Sequence, residues 1–422
     1  MDCSTRLAVI FCFCGSFLLA QNPSVNRISF EGNKKTKAAY LKRLLTLQAG
    51  DALDSLQLKE DILRIIREPA VSHAYYNKSI STSGTVDITL FIEENKTLIP
   101  AVDVWTTLDQ KVAFHLGVND YIFLGQGLSL GAFYRKNIFP GFGIRLENNN
   151  YLHWSNELKF IAQQQETLEP IQMNAQTERY RYRLQMIELE WGKAFDLYHK
   201  ASLSLGRIYE RYIHENSETV TNLPANFKTA KTLGKLGFTY NKIEPYYYYL
   251  KGWSAQSYFT YVVGQNVEGD QDFYQFEIQG RYFKRLLSSG NLAARGKIGL
   301  ARNTPSPFPP FVIDNNQNVR GVGNLIQRGN ALWVFNAEYR QTAFEKNWFA
   351  LQWTFFTDHA GIQSAGAPLQ TLFKKENRHH FVGVGLRFIH KYIYKAVLRV
   401  DYGIALNDKR QSGLVFGIDQ YF

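Results

Sequence analysis

Asp358 is the residue most in need of a chemical explanation. Phe349, Leu351, Trp353 and Phe355 fall on one side of an extended strand, and Ala350, Gln352, Thr354 and Asp358 fall on the other, because successive strand side chains point to opposite faces. A carboxylate on the inner face of a wall needs a cation, and a guanidinium fork matches it best. A second carboxylate, Asp401, shares a face with Arg399. That spacing suits a structural ion pair better than a catalytic acid and base. No Gly-x-Ser-x-Gly elbow and no phosphate-binding loop occurs in the sequence. His379 and His380 are adjacent in a strand, point to opposite faces and make a poor metal site. The chemistry on offer is charge pairing, so neither a cofactor nor an enzymatic activity is expected.

The N-terminus sets the compartment. Arg6 gives a charged start, Leu7 to Leu19 is an apolar run, and Ala20 precedes the polar Gln21 and Asn22. The run is too short to span a bilayer, so residues 1–20 read as a signal peptide cut after Ala20. Cys3, Cys12 and Cys14 all lie inside it. The mature chain then has no thiol for a disulfide scaffold, a metal site or a nucleophile.

No later apolar run approaches the ~20 residues of a membrane helix. Yet 25 Tyr, 30 Phe and 7 Trp make aromatics 15% of the chain, which suits the aromatic girdles of a transmembrane barrel. The net charge of +11 raises nucleic acid as a partner, but the Lys and Arg are spread along the chain. Their one modest cluster, Lys34, Lys35, Lys37, Lys42 and Arg43, reads as a solvated helix face near anionic headgroups. Nucleic acid is therefore set aside.

Two parts follow from periodicity. Residues 24–95 carry a strand at Val25, Ile28 and Phe30, then a helix from about Thr36 with Tyr40, Leu41, Leu44 and Leu45 on one stripe. Asp54 and Gln57 form a capping-box pattern for a second helix bearing Leu58, Ile62, Ile65 and Ile66, stopped by Pro69. Strands near 71–80 and 85–93 close the unit around Thr82-Ser83-Gly84.

From Pro100 to Phe422 strands alternate without a convincing helix. Trp333, Phe335, Ala337 and Tyr339 oppose Val334, Asn336, Glu338 and Arg340; Val382, Val384, Leu386 and Phe388 oppose Gly383, Gly385 and Arg387. Sixteen such segments are expected, starting near 100, 110, 128, 142, 156, 182, 200, 231, 251, 271, 291, 329, 348, 378, 394 and 412; an even antiparallel count is the rule for bacterial barrels. Polar connections are expected at 164–181 and 214–230, and bulges in 182–213 where alternation lapses. The last segment places Leu414, Phe416, Ile418 and Phe422 on one side and Gly417, Asp419 and Tyr421 on the other. It reads as the closing staple of the barrel, with Phe422 an outward girdle residue.

The order β-α-α-β-β and the opening Val25 to Asn33 resemble a POTRA domain, the periplasmic module of the BamA/TamA-type outer-membrane assembly superfamily. The long connection Asn303–Phe311 to Asn318–Asn324 contains Val319-Arg320-Gly321, similar to the Val-Arg-Gly of the loop that folds into the lumen in that family. Val322 stands where the family carries an aromatic residue. Phe356, Asp358 and Gly361 resemble the partner pattern Phe-x-Asp-x-Gly, with the glycine one place late. The resemblance implies that Arg320 pairs with Asp358 inside the barrel, and that Phe416, Ile418, Tyr421 and Phe422 form a C-terminal strand signal. Gly125 and Gly127, Gly383 to Phe388, and Asp401 to Gly403 also resemble turns and last strands of these barrels.

The implied architecture is mainly β: one POTRA domain at 24–95 in the periplasm, then a 16-stranded antiparallel outer-membrane β-barrel at 100–422. The implied function is insertion, assembly or translocation of other proteins at the outer membrane. The partners would be outer-membrane lipid, unfolded outer-membrane or secreted clients, and accessory lipoproteins. Two alternatives stay open. One is a structural barrel or passive channel without assembly activity, which a single POTRA domain favours. The other is dedicated secretion of one partner protein.

Overall fold

In the computed structural model, the residues described are 23–81, 84–106, 112–149, 155–173, 176–215, 225–265, 272–302, 309–315, 318–322, 327–364, 366–406 and 411–422. The signal-peptide expectation and the Thr82-Ser83 turn lie outside them.

The N-terminal unit runs β1 (Val25–Glu31), α1 (Ala38–Leu44), α2 (Ser55–Ile66), β2 (Val71–Ile80) and β3 (Val86–Glu94). Its sheet order is β1-β3-β2, with β1 parallel and β2 antiparallel to the central β3. Helix α2 starts where Asp54 accepts from the Leu56 and Gln57 backbone N–H groups at 2.7 and 3.3 Å, filling two of the donors that a helix start leaves open. The other half of the capping box is not made, since the Gln57 side chain turns to Thr46 instead. Leu58 and Ile65 of α2 and Tyr40, Leu41 and Leu44 of α1 bury their helical stripes against Ile88 and Leu90 of β3. Asp61 is fully buried, yet it accepts from Thr46 and Leu47 backbone N–H groups at 2.9–3.0 Å, as a buried charge requires. Ile122, from the turn between the barrel strands Val112–Asp120 and Leu128–Asn137, completes this core.

Sixteen strands among the described residues, from Leu98–Thr106 to Ser412–Ile418, close into an antiparallel barrel. Their starts follow the alternation closely, with the largest offset at Gln176 against the expected 182. Outward Val384, Leu386 and Phe388 are exposed, while inward Arg387 is fully buried. Among the described residues no helix is long and apolar enough to cross a membrane.

The wall is uneven. Strands Asn156–Met173, Gln176–Ala194 and Asn226–Tyr246 have 18, 19 and 21 residues, whereas Leu98–Thr106 has 9 and Ser412–Ile418 has 7. The last strand pairs with its predecessor from Leu398–Ile418 to Ile404–Ser412. Among the described residues it meets the first strand at one register pair, Phe416 with Val104.

Three expectations are corrected here. Residues 164–181 are mostly ladder: Asn156–Met173 and Gln176–Ala194 form one long hairpin. Its upper part carries an outward ion cluster, Glu166 held by Arg181 and by Arg183 at 2.8 Å. Such a cluster belongs in water, and wet outer faces impose no apolar alternation. Strand residues in 182–213 likewise pair without a register shift; among the described residues the barrel's register shift falls between Thr342 and Phe344 instead. Finally, the ladder stops at Ile418, and Asp419 takes a left-handed φ of 81°. Tyr421 and Phe422 turn into the lumen, so Phe422 is no outward girdle residue.

The small domain docks under the short-turn end of the barrel. Arg67 donates from Nη1 to the Leu197 carbonyl at 2.6 Å and from Nη2 to those of Asn241 and Ile243 at 3.1 and 3.2 Å. His73 stacks on Tyr247, whose hydroxyl donates to Glu93 at 3.3 Å. Burial, then the Glu93 carboxylate, push the Tyr247 phenol up to about 12, which keeps it a neutral donor. The Lys37 N–H donates to the Gly125 carbonyl at 2.9 Å, so part of the basic cluster faces this junction.

Candidate functional site: an ionic cluster in the barrel lumen

Four neighbouring strands supply the wall of the site. Ala331–Glu345 points Asn336, Glu338 and Arg340 inward, and Phe349–Gln363 points Phe356 and Asp358 inward. Arg378–His390 contributes Arg387, and Val397–Ala405 contributes Arg399 and Asp401. Arg387 and Arg399 are direct cross-strand partners, a repulsive arrangement by itself. Asp401 relieves it, at 2.7 Å from Arg387 and 3.7 Å from Arg399.

The loop between Gly290–Ala301 and Ala331–Glu345 folds back inside this wall. Its short strands Phe311–Ile313 and Gln327–Gly329 pair with each other. Phe311, Ile313, Val319 and Val322 pack on inward Leu332, Val334, Ala360, Ile362 and Phe381. Each such buried side chain contributes ~1.5–3 kcal/mol, enough to anchor the loop. Val322 therefore serves as an aliphatic anchor where an aromatic residue was the resemblance's pattern. The tip is shaped by the Asn318 side chain, donating to the Val312 carbonyl at 2.7 Å, and by the Gly321 N–H, donating to Asn315 at 2.8 Å. Gly321 has a φ of 94° and backs onto Gly403, a close approach that only paired glycines permit.

This path delivers Arg320 to the cluster with no exposed surface. Its Nε donates to Asp358 Oδ2 at 2.9 Å and its Nη2 to Oδ1 at 3.0 Å, a bidentate fork; its backbone N–H adds a third bond at 2.9 Å. Nη1 donates to Glu338 Oε2 at 2.6 Å. Glu338 also accepts from Arg340, and Asn336 donates to Asp358 at 2.8 Å while accepting from Arg295 at 2.9 Å. The Arg320 guanidinium lies 3.7 Å from the Phe356 ring centre and 4.4 Å from that of Tyr421, within cation–π range. Each of the three carboxylates is engaged by arginine, so none is placed to act as a general acid or base. The arrangement holds a loop and a chain end in one place.

Of the residues singled out from sequence, Val319, Arg320, Gly321, Phe356 and Asp358 come together. Gly361 does not join them: a Cβ there would meet Trp333 Nε1 at 2.3 Å, on the outer side of the wall. Phe416 faces outward at the seam, and Ile418 is the last ladder residue. Glu338, Arg340, Arg387, Arg295 and Asn336 were not singled out. The signal for three of them was present, since Asn336, Glu338 and Arg340 alternate with outward aromatics. His379 bonds Gln327, while His380 meets outward His359 at 2.7 Å between Nδ1 atoms. Among the described residues no group of three metal-donor side chains occurs.

Comparisons with known proteins agree with this architecture. Residues 23–95 match the family model described as surface antigen variable number repeat, of POTRA type, and residues 109–422 match the Omp85 superfamily domain. No curated protein matches the chain. Among solved structures, BamA from Haemophilus ducreyi lacking POTRA domains 1-3 is similar over 94% of this chain and 84% of its own, at 16% identity and a TM-score of 0.55. CdiB from Acinetobacter baumannii covers 94% of this chain and 74% of its own, at 16% identity and a TM-score of 0.61. CdiB from Escherichia coli covers 94% and 76%, at 12% identity and a TM-score of 0.65. At these identities the likeness is one of fold. With a family domain that spans most of the chain, an inserted loop and a POTRA-type unit in front, the protein belongs to the Omp85 superfamily.

Proposed function

We propose that this protein sits in the outer membrane, with its POTRA-type domain in the periplasm, and inserts or translocates other proteins there. In this reading residues 1–20 are the export signal, 24–95 the periplasmic unit and 100–422 the barrel. The observation that carries it, beside family membership, is the seam: among the described residues the wall is closed between Leu98–Thr106 and Ser412–Ile418 at one register pair. So short a closure costs little to open, and opening leaves two strand edges that can pair with an incoming chain. The POTRA-type sheet offers a further edge at β2, where Tyr75, Tyr76 and Ile80 are exposed. Clients would be unfolded outer-membrane or secreted polypeptides, handled with lipid and with accessory lipoproteins as candidate helpers. No covalent step and no cofactor enters this mechanism. The inserted loop and its ionic cluster occupy lumen space, which weighs against a wide passive channel.

Reconstitution into liposomes with an unfolded barrel client tests the reading. Client folding should be clearly faster than in protein-free liposomes. Equal rates, combined with a steady wide single-channel conductance, would replace insertion by a passive channel.

A further inference from the structure

The connection between strands Phe349–Gln363 and Arg378–His390 lies at the end of the barrel away from the small domain. The docked end is marked by Lys391, whose N–H donates to the Trp348 carbonyl at 2.8 Å and whose ammonium lies 5.7 Å from the Tyr247 ring centre. At the far end the chain folds over the outer face of the wall, whereas the loop bearing Arg320 folds inside. Trp333 and Gly361 are cross-strand partners on that outer face, and a Cβ at Gly361 would stand 2.7 Å from the Leu372 carbonyl oxygen. The missing side chain lets the short helical turn Leu369–Phe373 seat on the wall with Leu372 buried. The Gln363 amide donates to the Ala367 carbonyl, and Asn377 Nδ2 donates to the Thr371 carbonyl at 2.7 Å, so both ends of the connection are tied. Leu369 and Phe373 are left 55% and 64% exposed. Lys374, Lys375 and Glu376, all exposed, follow at once. Beside this turn the outward wall becomes polar. His359 and His380 face each other across the strands with their Nδ1 atoms 2.7 Å apart, and Thr357 Oγ1 lies 2.7 Å from His359 Nε2. Further towards the docked end, the outward partners Phe355 and Val384 are exposed and apolar.

We propose that this outer-face turn is a binding site for a phosphate-bearing lipid of the leaflet farther from the small domain. Leu369 and Phe373 enter the acyl boundary, and Lys374 and Lys375 meet the headgroup phosphate. Two independent observations point to that occupant. The first is height. The turn sits where the outward wall changes from Phe355 and Val384 to a pair of imidazoles, which is the order of side chains expected where hydrocarbon gives way to headgroups. Two large apolar side chains so exposed are out of place in water; at that boundary they are the lipid-facing side of an interfacial element. The second is charge. Lys374 and Lys375 stand against one carboxylate, Glu376, and Arg378, the cross-strand partner of Gly361, adds a cation to the same face. That excess favours an anionic headgroup over a zwitterionic one, since an ammonium holds phosphate as a point charge. Two apolar side chains are too little surface for a stable protein partner, whereas one lipid needs no more.

The site rests on the membrane placement proposed above and not on the handling of clients. Phosphatidic acid serves as the probe, because its headgroup is a bare phosphate monoester. The full-length protein is placed in nanodiscs holding equal amounts of phosphatidic acid and phosphatidylcholine with the same acyl chains, and native mass spectrometry counts the lipids retained on release. The intact chain should retain phosphatidic acid preferentially. Lys374→Glu/Lys375→Glu should lower that retention at least threefold and leave phosphatidylcholine unchanged, while Leu369→Ser/Phe373→Ser should lower both. Retention of phosphatidic acid indifferent to charge reversal would overturn the site and assign the lipid to other parts of the basic chain. Should charge reversal prevent folding, Lys374→Gln/Lys375→Gln carries the same expectation. Phe373→p-benzoylphenylalanine in the otherwise intact chain reports the location: irradiation should crosslink it mainly to phosphatidic acid. Crosslinks to protein alone, or to both lipids equally, refute the assignment. A chain that enters no nanodisc as a heat-modifiable barrel would remove the membrane placement itself, whereas an inserted barrel without lipid preference would remove only the site.

Discussion

Gly321 and Gly403 lie back to back inside the barrel: a Cβ added to Gly403 would stand 2.9 Å from the Gly321 Cα, and one added to Gly321 would stand 2.8 Å from the Gly403 Cα. The depth to which Arg320 reaches depends on this contact. Gly403→Ala should cost ~1–3 kcal/mol by overpacking. Gly321→Ala adds ~1–2 kcal/mol for its left-handed backbone. Urea unfolding of the folded barrel should show lower midpoints for both, with Gly321→Ala the worse; unchanged midpoints would mean the loop tip does not bear on the wall.

The Arg320–Asp358 fork predicts a strong, non-additive pair. Arg320→Ala and Asp358→Ala should each cost roughly 3–5 kcal/mol, because the survivor is a buried charge without its partner. The double mutant should cost clearly less than the sum. Arg320→Lys should rescue in part, since an ammonium cannot reproduce the fork. Arg328→Ala, at a residue bonded to the Pro309 carbonyl at 3.4 Å, serves as the mild control. Small additive effects in urea at both sites would contradict the geometry.

Docking of the small domain should hinge on Arg67. Its three bonds to barrel carbonyls are charge-assisted, each worth ~1.5–3 kcal/mol in a buried setting. Arg67→Ala should leave the barrel folded and speed proteolysis between residues 95 and 98 severalfold. An unchanged cleavage rate would show that the junction is held by its other contacts.

The isolated segment 23–95 should fold on its own, with helical circular dichroism and one cooperative thermal transition. It should also be less stable than in the intact protein, because Ile122 is missing from its core and a buried Ile contributes ~1.5–3 kcal/mol. Ile122→Ser in the full chain should reproduce that loss; equal melting of segment, variant and parent would exclude the shared core.

Much of the fold was legible because lipid enforces a period of two. Wherever a strand faces acyl chains, as at Val384, Leu386 and Phe388, the outward register is written in apolar residues, and so is the inward one. Legibility failed where that pressure stops. Arg181 and Arg183 are partly exposed on the outer face and cover a buried Glu166, so their ladder resembles a polar connection. Phe422 departs from the reading for a related reason: alternation runs through it in the sequence, but a strand needs a neighbour, and among the described residues the first strand offers one pair. Once Asp419 turns left-handed, parity no longer tells which way Phe422 points, and only Tyr421 keeps the inward side that alternation gave it. In the site, the inward position of Asp358 could be read from its register. Its sharing of Asn336 and the sharing of Glu338 between Arg320 and Arg340 could not, because those contacts join strands whose mutual height depends on shear.

The uneven strand lengths have a consequence for the surrounding membrane. At ~3.3 Å per residue and a tilt of about 40°, strands of 7 and 9 residues give a wall only about 18–23 Å tall, below the ~25 Å apolar band usual for such barrels. The opposite strands, two to three times as long, overshoot that band and project into solvent. Lipid beside the seam must therefore splay or thin to cover its apolar edge, at a cost of fractions of a kcal/mol per Å of mismatch. Acyl-chain length becomes a control variable: the barrel carries a built-in defect line in the bilayer, aligned with the one place where its wall is barely joined.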